Sequence, residues 1–153
     1  MDANALNIDY NELHNELMTE VETKKQYQNY TKPSWAPPSW LFGPVWAVLY
    51  VIIAISFGYV GYFFLVGAIP GLVALPFLLN LIANVAYSPI QFQLHNFKLA
   101  TVDVFLILIT LIWAMAAIHS YASWISIVNI PYLAWVCFAS GLQITVMMLN
   151  RAE

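Results

Sequence analysis

From residue 33 to residue 150 the chain is apolar almost without interruption, and only Lys98 and Asp103 in that stretch are charged at neutral pH. Four runs within it, at about 43–63, 71–91, 100–119 and 128–149, are each long enough to cross a membrane. A hydrocarbon layer of roughly 30 Å takes about 20 helical residues. Residues of turn type separate the runs. Gly67, Pro70 and Gly71 divide the first pair, "QLHNFK" (93–98) the second, and "SYASW" (120–124), with Asn129 and Pro131, the third. Backbone in lipid must satisfy its own hydrogen bonds, so the runs are predicted to be helices. The expected fold class is an all-α integral membrane bundle of four transmembrane helices, preceded by an acidic amphipathic segment. Lys24, Lys25 and Lys32 precede the first run, Lys98 lies between the second and third, and Arg151 follows the fourth. Four spans put all five on one side, which the positive-inside rule makes cytoplasmic together with both termini.

Residues 1–31 have a different pattern. Asp2, Asp9, Glu12, Glu16, Glu20 and Glu22 crowd this segment, while Leu6, Tyr10, Leu13, Leu17 and Val21 recur every three to four residues. This is a narrow apolar helical stripe on an acidic segment. It reads either as a solvated, partly ordered tail or as a cytoplasmic helix docking on a partner; anionic headgroups disfavour adsorption to the membrane surface. The expected division is an acidic N-terminal segment over 1–31 and a transmembrane bundle over 32–150.

Composition supports a lipid-solvated chain. Hydrophobic residues make up 61% and charged residues 8%, against roughly 25% charged in soluble domains. A net charge of −3 and no basic run exclude nucleic acid as a partner. One cysteine, Cys137, excludes an intrachain disulfide and a cysteine-based zinc site. The first 30 residues lack the apolar core of a signal peptide.

The densest local signal is "KPSWAPPSWLFGPVW" (32–46), with four prolines and three tryptophans. The prolines hold Lys32, Ala36 and Pro37 out of a helix, and Pro44 suits the first turn of a helix beginning near residue 43. Trp35, Trp40 and Trp46 fall at the expected water–lipid boundary. An anchoring belt accounts for Trp40, whereas the proline cage suits a stiff aromatic lid over a cavity, because stiffness lowers the ordering cost of binding.

Four further features carry candidate chemistry. In the second run Asn80, Asn84, Tyr87 and Gln91 form one polar stripe flanked by Ser88. It serves either as interhelical hydrogen bonding, about 0.6 to 2 kcal/mol per bond, or as the lining of a pocket. In the fourth run Tyr132, Trp135, Ala139 and Gln143 share a face. Ala47, Ala54, Gly58 and Gly61 make a small-residue face on the first, for packing within the bundle or between protomers. Asp103 is either a first-turn carboxylate stabilised by helix amides or a ligand contact.

The remaining polar residues suggest little catalysis. Lys32 either snorkels to the boundary or pairs with a ligand carboxylate. His95 and His119 fall at opposite ends and cannot share a metal, so no metal site is expected; each is a solvated loop histidine or, alternatively, a lone axial ligand to haem. Cys137 has no basic neighbour and is expected to be inert. No nucleophile, base and orienting group stand together, so conventional hydrolytic or transferase chemistry has no candidate.

"KPSWAPPSW" followed by "GPVWAVLY", then "NVAYSPIQFQLHNFKLATVD" (84–103) and "PYLAWVCFA" (131–139), resembles the TspO/MBR family, the tryptophan-rich sensory or translocator proteins. The resemblance runs over about 27–150 in the family's order and spacing. It implies a small helical membrane protein, often a homodimer, that binds tetrapyrroles such as protoporphyrin IX and haem in a pocket beneath the 32–46 loop. The lid is then 33–39, and the implied ligand-binding residues are Tyr27, Lys32, Trp35, Pro37, Trp46, Tyr50, Asn84, Tyr87, Ser88, Gln91, Asp103, Trp135 and Ala139. Trp46 and Trp135 match the tryptophans to which the family's porphyrin chemistry is attributed, and are catalytic only if that chemistry is photo-oxidative. No cofactor beyond the porphyrin or haem ligand is required, and the expected setting is a bacterial plasma membrane.

The chain also departs from the family. Members usually have a span ahead of the loop, where this chain carries its acidic segment. Gln26 stands before Tyr27 for the usual Trp; Tyr87 and Gln91 stand for Trp and Phe, Gln143 for Asn, and Met147 for Trp. No tyrosine lies within reach before Arg151 to complete a sterol pattern. Three functions follow as expectations: tetrapyrrole binding for sensing, transport or removal; light-dependent porphyrin degradation; or a membrane scaffold without ligand.

Overall fold

The computed structural model describes residues 13–15, 17, 18 and 32–150. Leu13, His14, Asn15, Leu17 and Met18 are helical and exposed. Leu6, Tyr10 and Val21 of the predicted stripe, and Tyr27, lie outside the described residues. The rest is mostly helical: α1 (Ser39–Leu65), α2 (Gly71–Ser88) with a π-helical turn at Pro89–Gln93, α3 (Phe97–His119), the short α4 (Ser123–Val128) and α5 (Ile130–Leu149). No strand occurs among the described residues. Four helices there, Ser39–Leu65, Gly71–Gln93, Phe97–His119 and Ile130–Leu149, are long and apolar enough to cross a membrane.

Local chemistry moves two helix starts from their expected places. α1 begins at Ser39, directly after Pro38, so Pro44 lies inside the helix rather than in its first turn. Pro76 likewise lies inside α2, and Ser88 is helical before Pro89, so a proline in these helices forfeits a ladder bond without ending the helix. α3 begins at Phe97 because Asn96 caps it, its side-chain oxygen accepting the Leu99 N–H at 3.0 Å. Asp103 therefore lies in the second turn, where the first-turn amides cannot stabilise it.

The connections are equally determined. Gly67 takes a φ of 74°, and the Ala68 N–H returns to the Phe63 carbonyl at 2.8 Å to end α1. Pro89 has no N–H for the helical ladder, and the register widens by one residue, with the Leu94 N–H on the Pro89 carbonyl at 3.0 Å. Gln91, within that turn, is buried. Asn129 joins α4 to α5 and donates to Ser56 Oγ (3.0 Å) and the Ile125 carbonyl (2.8 Å), tying the joint to α1.

α3 is the central helix and packs chiefly on α2 and α5; Ala100, Leu111, Ala114 and Ile118 are completely buried. α1 packs on α2 and α4, with Phe57 edge-on to Phe77 at 4.9 Å. A polar knot lies at the centre. Asn80, fully buried, donates to the Ile107 carbonyl (2.9 Å) and Thr110 Oγ1 (3.1 Å) and accepts from the Tyr132 hydroxyl (2.8 Å). Asn84 donates to Asn80 Oδ1 and to the Tyr132 oxygen. One hydroxyl and two amides thus connect α2, α3 and α5.

Replacing Asn80 with leucine removes these bonds and leaves the buried Tyr132 hydroxyl without its acceptor. Asn80→Leu is expected to lower the unfolding free energy in mixed micelles by about 2 kcal/mol or more. Val85→Ala, at a position 77% exposed, is expected to change it by less than about 0.5 kcal/mol.

Candidate ligand-binding groove

α1 and α5 face each other across an open groove of about 560 Å³. One wall is Pro44, Val45, Val48 and Leu49 of α1; the other is Pro131, Ala134, Trp135 and Phe138 of α5. Both sets follow helical spacing, so each wall is a single helix face. The groove exists because each helix is drawn to different neighbours, α1 to α2 and α4, α5 to α3 and α4. Its lining side chains are all apolar save for one indole N–H. Trp135 Nε1 is buried and has no hydrogen-bond partner among the described residues.

Aromatic rings close one end. Trp35, in the proline-rich loop, stands edge-on to Phe138 at 5.9 Å, and Phe42 stands edge-on to Trp135 at 5.6 Å. Trp135 and Phe138 themselves lie 5.4 Å apart. The loop is stiffened by its prolines and by a turn in which the Ala36 N–H donates to the Pro33 carbonyl at 3.0 Å. Lys32, at the start of that loop, is half-buried. Desolvation pulls its ammonium below the ordinary lysine value, since burial penalises the charged form.

Among the described residues, Trp135 alone of the site residues named from the sequence lines the groove. Trp46, next to Val45, is half-buried against the core and lies tilted against Tyr50 at 5.3 Å, while Tyr50 is largely exposed. The Tyr87 hydroxyl donates to Gln143 Oε1 (2.9 Å), and Gln143 Nε2 donates to Gln91 Oε1 (3.2 Å). With Asn84 in the central knot, the polar stripe of α2 is engaged in interhelical hydrogen bonds. Ser88 is exposed, and Pro37 and Ala139 are half-buried. Asp103 is 6% exposed, and its Oδ2 has no hydrogen-bond partner among the described residues. His95 and His119 are exposed, and the described residues bring no three His, Cys, Asp or Glu side chains together as for a metal ion.

Phe42, Val45, Val48, Leu49, Pro131, Ala134 and Phe138 were not legible as site residues. Their spacing is regular, yet in a helix apolar on every side one more apolar stripe has no contrast. The small-residue face of α1 is legible but meets nothing among the described residues. Ala47, Ala54, Gly58 and Gly61 are all exposed, and a Cβ at either glycine would meet nothing.

Four apolar helices held by buried hydrogen bonds, with an aromatic-capped groove on the outer face, define a helical integral membrane protein. Residues 9–149 match the model of the TspO/MBR family. The tryptophan-rich protein TspO of Bacillus cereus is 39% identical over 129 residues, covering 81% of this chain and 80% of that protein. TspO of Chlorobaculum tepidum is 34% identical over 125 residues (81% and 78%), and the human translocator protein 30% identical over 141 residues (85% and 78%). The chain belongs to the TspO/MBR family.

An open groove must admit reagents dissolved in the bilayer. In a Cys137→Ala background, Val48→Cys and Ala134→Cys are expected to react with a lipid-soluble maleimide at least an order of magnitude faster than Ile107→Cys in the core. Equal rates would mean that the helices close on each other in the membrane.

Proposed function

We propose that the protein binds tetrapyrroles, protoporphyrin IX or haem, in the groove between α1 and α5 beneath the proline-rich loop, in the sensing, transport or removal of porphyrin. The groove carries this proposal. Its volume of about 560 Å³ falls within the roughly 300–1,000 Å³ of small-molecule sites, and its walls offer apolar faces and aromatic rings to a flat macrocycle. Trp135 and Phe138 stack on the ring system, and Trp35 and Phe42 cover its edge. Lys32 meets the propionates where the loop reaches water. The amides of α2 stay in their interhelical bonds. The names of two relatives, the tryptophan-rich sensory protein of Cereibacter sphaeroides and the human translocator protein, support membrane-embedded sensing or translocation.

We further place the protein in a bacterial plasma membrane as a homodimer, with its Lys32 and Lys98 ends in the cytoplasm. The excess of lysine at one end supports that orientation, and the exposed small-residue face of α1 supports the dimer. Position 98 changed to cysteine in a Cys137→Ala background should be labelled by a membrane-impermeant maleimide in inverted vesicles and spared in intact cells.

A second function is favoured by the groove-lining position of Trp135: light-dependent porphyrin degradation. The excited porphyrin converts dioxygen to a reactive form, the tryptophans meet the oxidant, and the macrocycle is consumed.

Titration of the purified protein with protoporphyrin IX, dark and then illuminated, tests both functions. Saturable binding is expected in the dark. Ala134→Phe, which fills the groove, is expected to weaken it about tenfold or more. Unchanged affinity in that variant would remove the groove from the proposal. Bleaching of the porphyrin band under light that collapses in Trp135→Phe establishes degradation through the groove tryptophan; a stable band leaves binding alone.

A further inference from the structure

We propose that Tyr132 is the positioning residue for Trp135: it fixes the rotation of α5 about its axis, so that the indole faces α1 across the groove. This rests on the tetrapyrrole function only for its consequence, not for its geometry. Tyr132 is fully buried in the first turn of α5, three residues before Trp135. Three residues carry a side chain about 300° around the helix, so the two rings project about 60° apart. Tyr132 points to α2 and α3 while Trp135 reaches the groove.

The restraints on α5 are unequally placed. On the inner side, the Tyr132 hydroxyl donates to Asn80 Oδ1 (2.8 Å) and accepts from Asn84, and Asn80 is itself fixed to the Ile107 carbonyl and Thr110 on α3. On the groove side, Ser56 holds Asn129 at the joint before α5. Beyond that joint α1 and α5 face each other across open space. The next polar hold on α5, Gln143 with Tyr87 and Gln91, comes two turns after Trp135. The indole N–H makes no bond of its own among the described residues, and the ring rests on Phe42, Phe138 and the core by non-directional contacts. Its direction therefore follows the helix, and Tyr132 is the interhelical polar hold on α5 nearest the indole.

A purely structural Tyr132 would affect stability and nothing else, and two measurements separate the roles. In the full-length protein labelled with 5-fluorotryptophan and free of ligand, the ¹⁹F resonance of Trp135 is assigned by its loss in Trp135→Phe. It is expected to shift in Tyr132→Phe, to shift less in Asn84→Ala, and to stay in place in Thr110→Val, which weakens the same knot but spares the Tyr132 bond. In dark titrations with protoporphyrin IX, Tyr132→Phe is expected to weaken binding about tenfold in the wild-type background and to have no effect in Trp135→Phe. An unmoved resonance in a folded Tyr132→Phe overturns the proposal, as does an equal loss of affinity in both backgrounds. Should Tyr132→Phe not fold, an unmoved resonance in Asn84→Ala overturns it instead. Absence of porphyrin binding by the wild type would overturn the tetrapyrrole function while the resonance still decides the role of Tyr132.

Discussion

A carboxamide inside a membrane must find its partners within the protein, and in this chain the Asn80 amide finds them on two other helices. Its nitrogen holds the α3 backbone and Thr110, and its oxygen holds Tyr132 of α5. Apolar packing alone distinguishes poorly between lipid and helix in a bilayer, because acyl chains are as apolar as leucine. Directional bonds in the centre therefore decide which helices are neighbours and in what rotation. Here they gather α2, α3 and α5 into a close group and leave α1 to pack on α2 and α4.

The groove follows from that division. With α5 drawn inward by Tyr132 and Gln143, its flank bearing Ala134, Trp135 and Phe138 is left facing α1 across a gap. The proline-rich loop then acts at one end of the gap. Its prolines restrict the backbone, and Trp35 rests on Phe138, so the cap is stiff and packed against α5. Rigid bonding sits in the polar interior, and the site sits at its apolar margin, where flat aromatic surface is available without breaking the knot.

Much of this was legible in the sequence, and the misses have physical causes. Length and polarity located the four spans, since a hydrocarbon layer tolerates neither short helices nor open backbone. The start of α3 was misjudged because Asn96, inside a polar turn, did not stand out as the capping residue; that error also placed Asp103 in a first turn it does not occupy. Similarly, Pro44 concealed how far α1 extends ahead of it. The stripe of Asn80, Asn84, Tyr87 and Gln91 was plain from its spacing. Spacing fixes a face and not its partner, so whether these groups bond to other helices or line a cavity could be read only from Thr110, Tyr132 and Gln143 in three dimensions. The groove walls were least legible, because an apolar residue facing a gap and one facing lipid look alike in sequence.

The central claim, that a flat macrocycle lies between α1 and α5 against Trp135, is tested most directly by an experimental structure of the protein in lipid with protoporphyrin IX, kept dark throughout. The account predicts density for the ring between Val48 and Ala134, stacked near Trp135 and Phe138, with Asn80, Asn84 and Tyr132 still bonded to one another. Density for the porphyrin among α2, α3 and α5, with that knot broken, would contradict it.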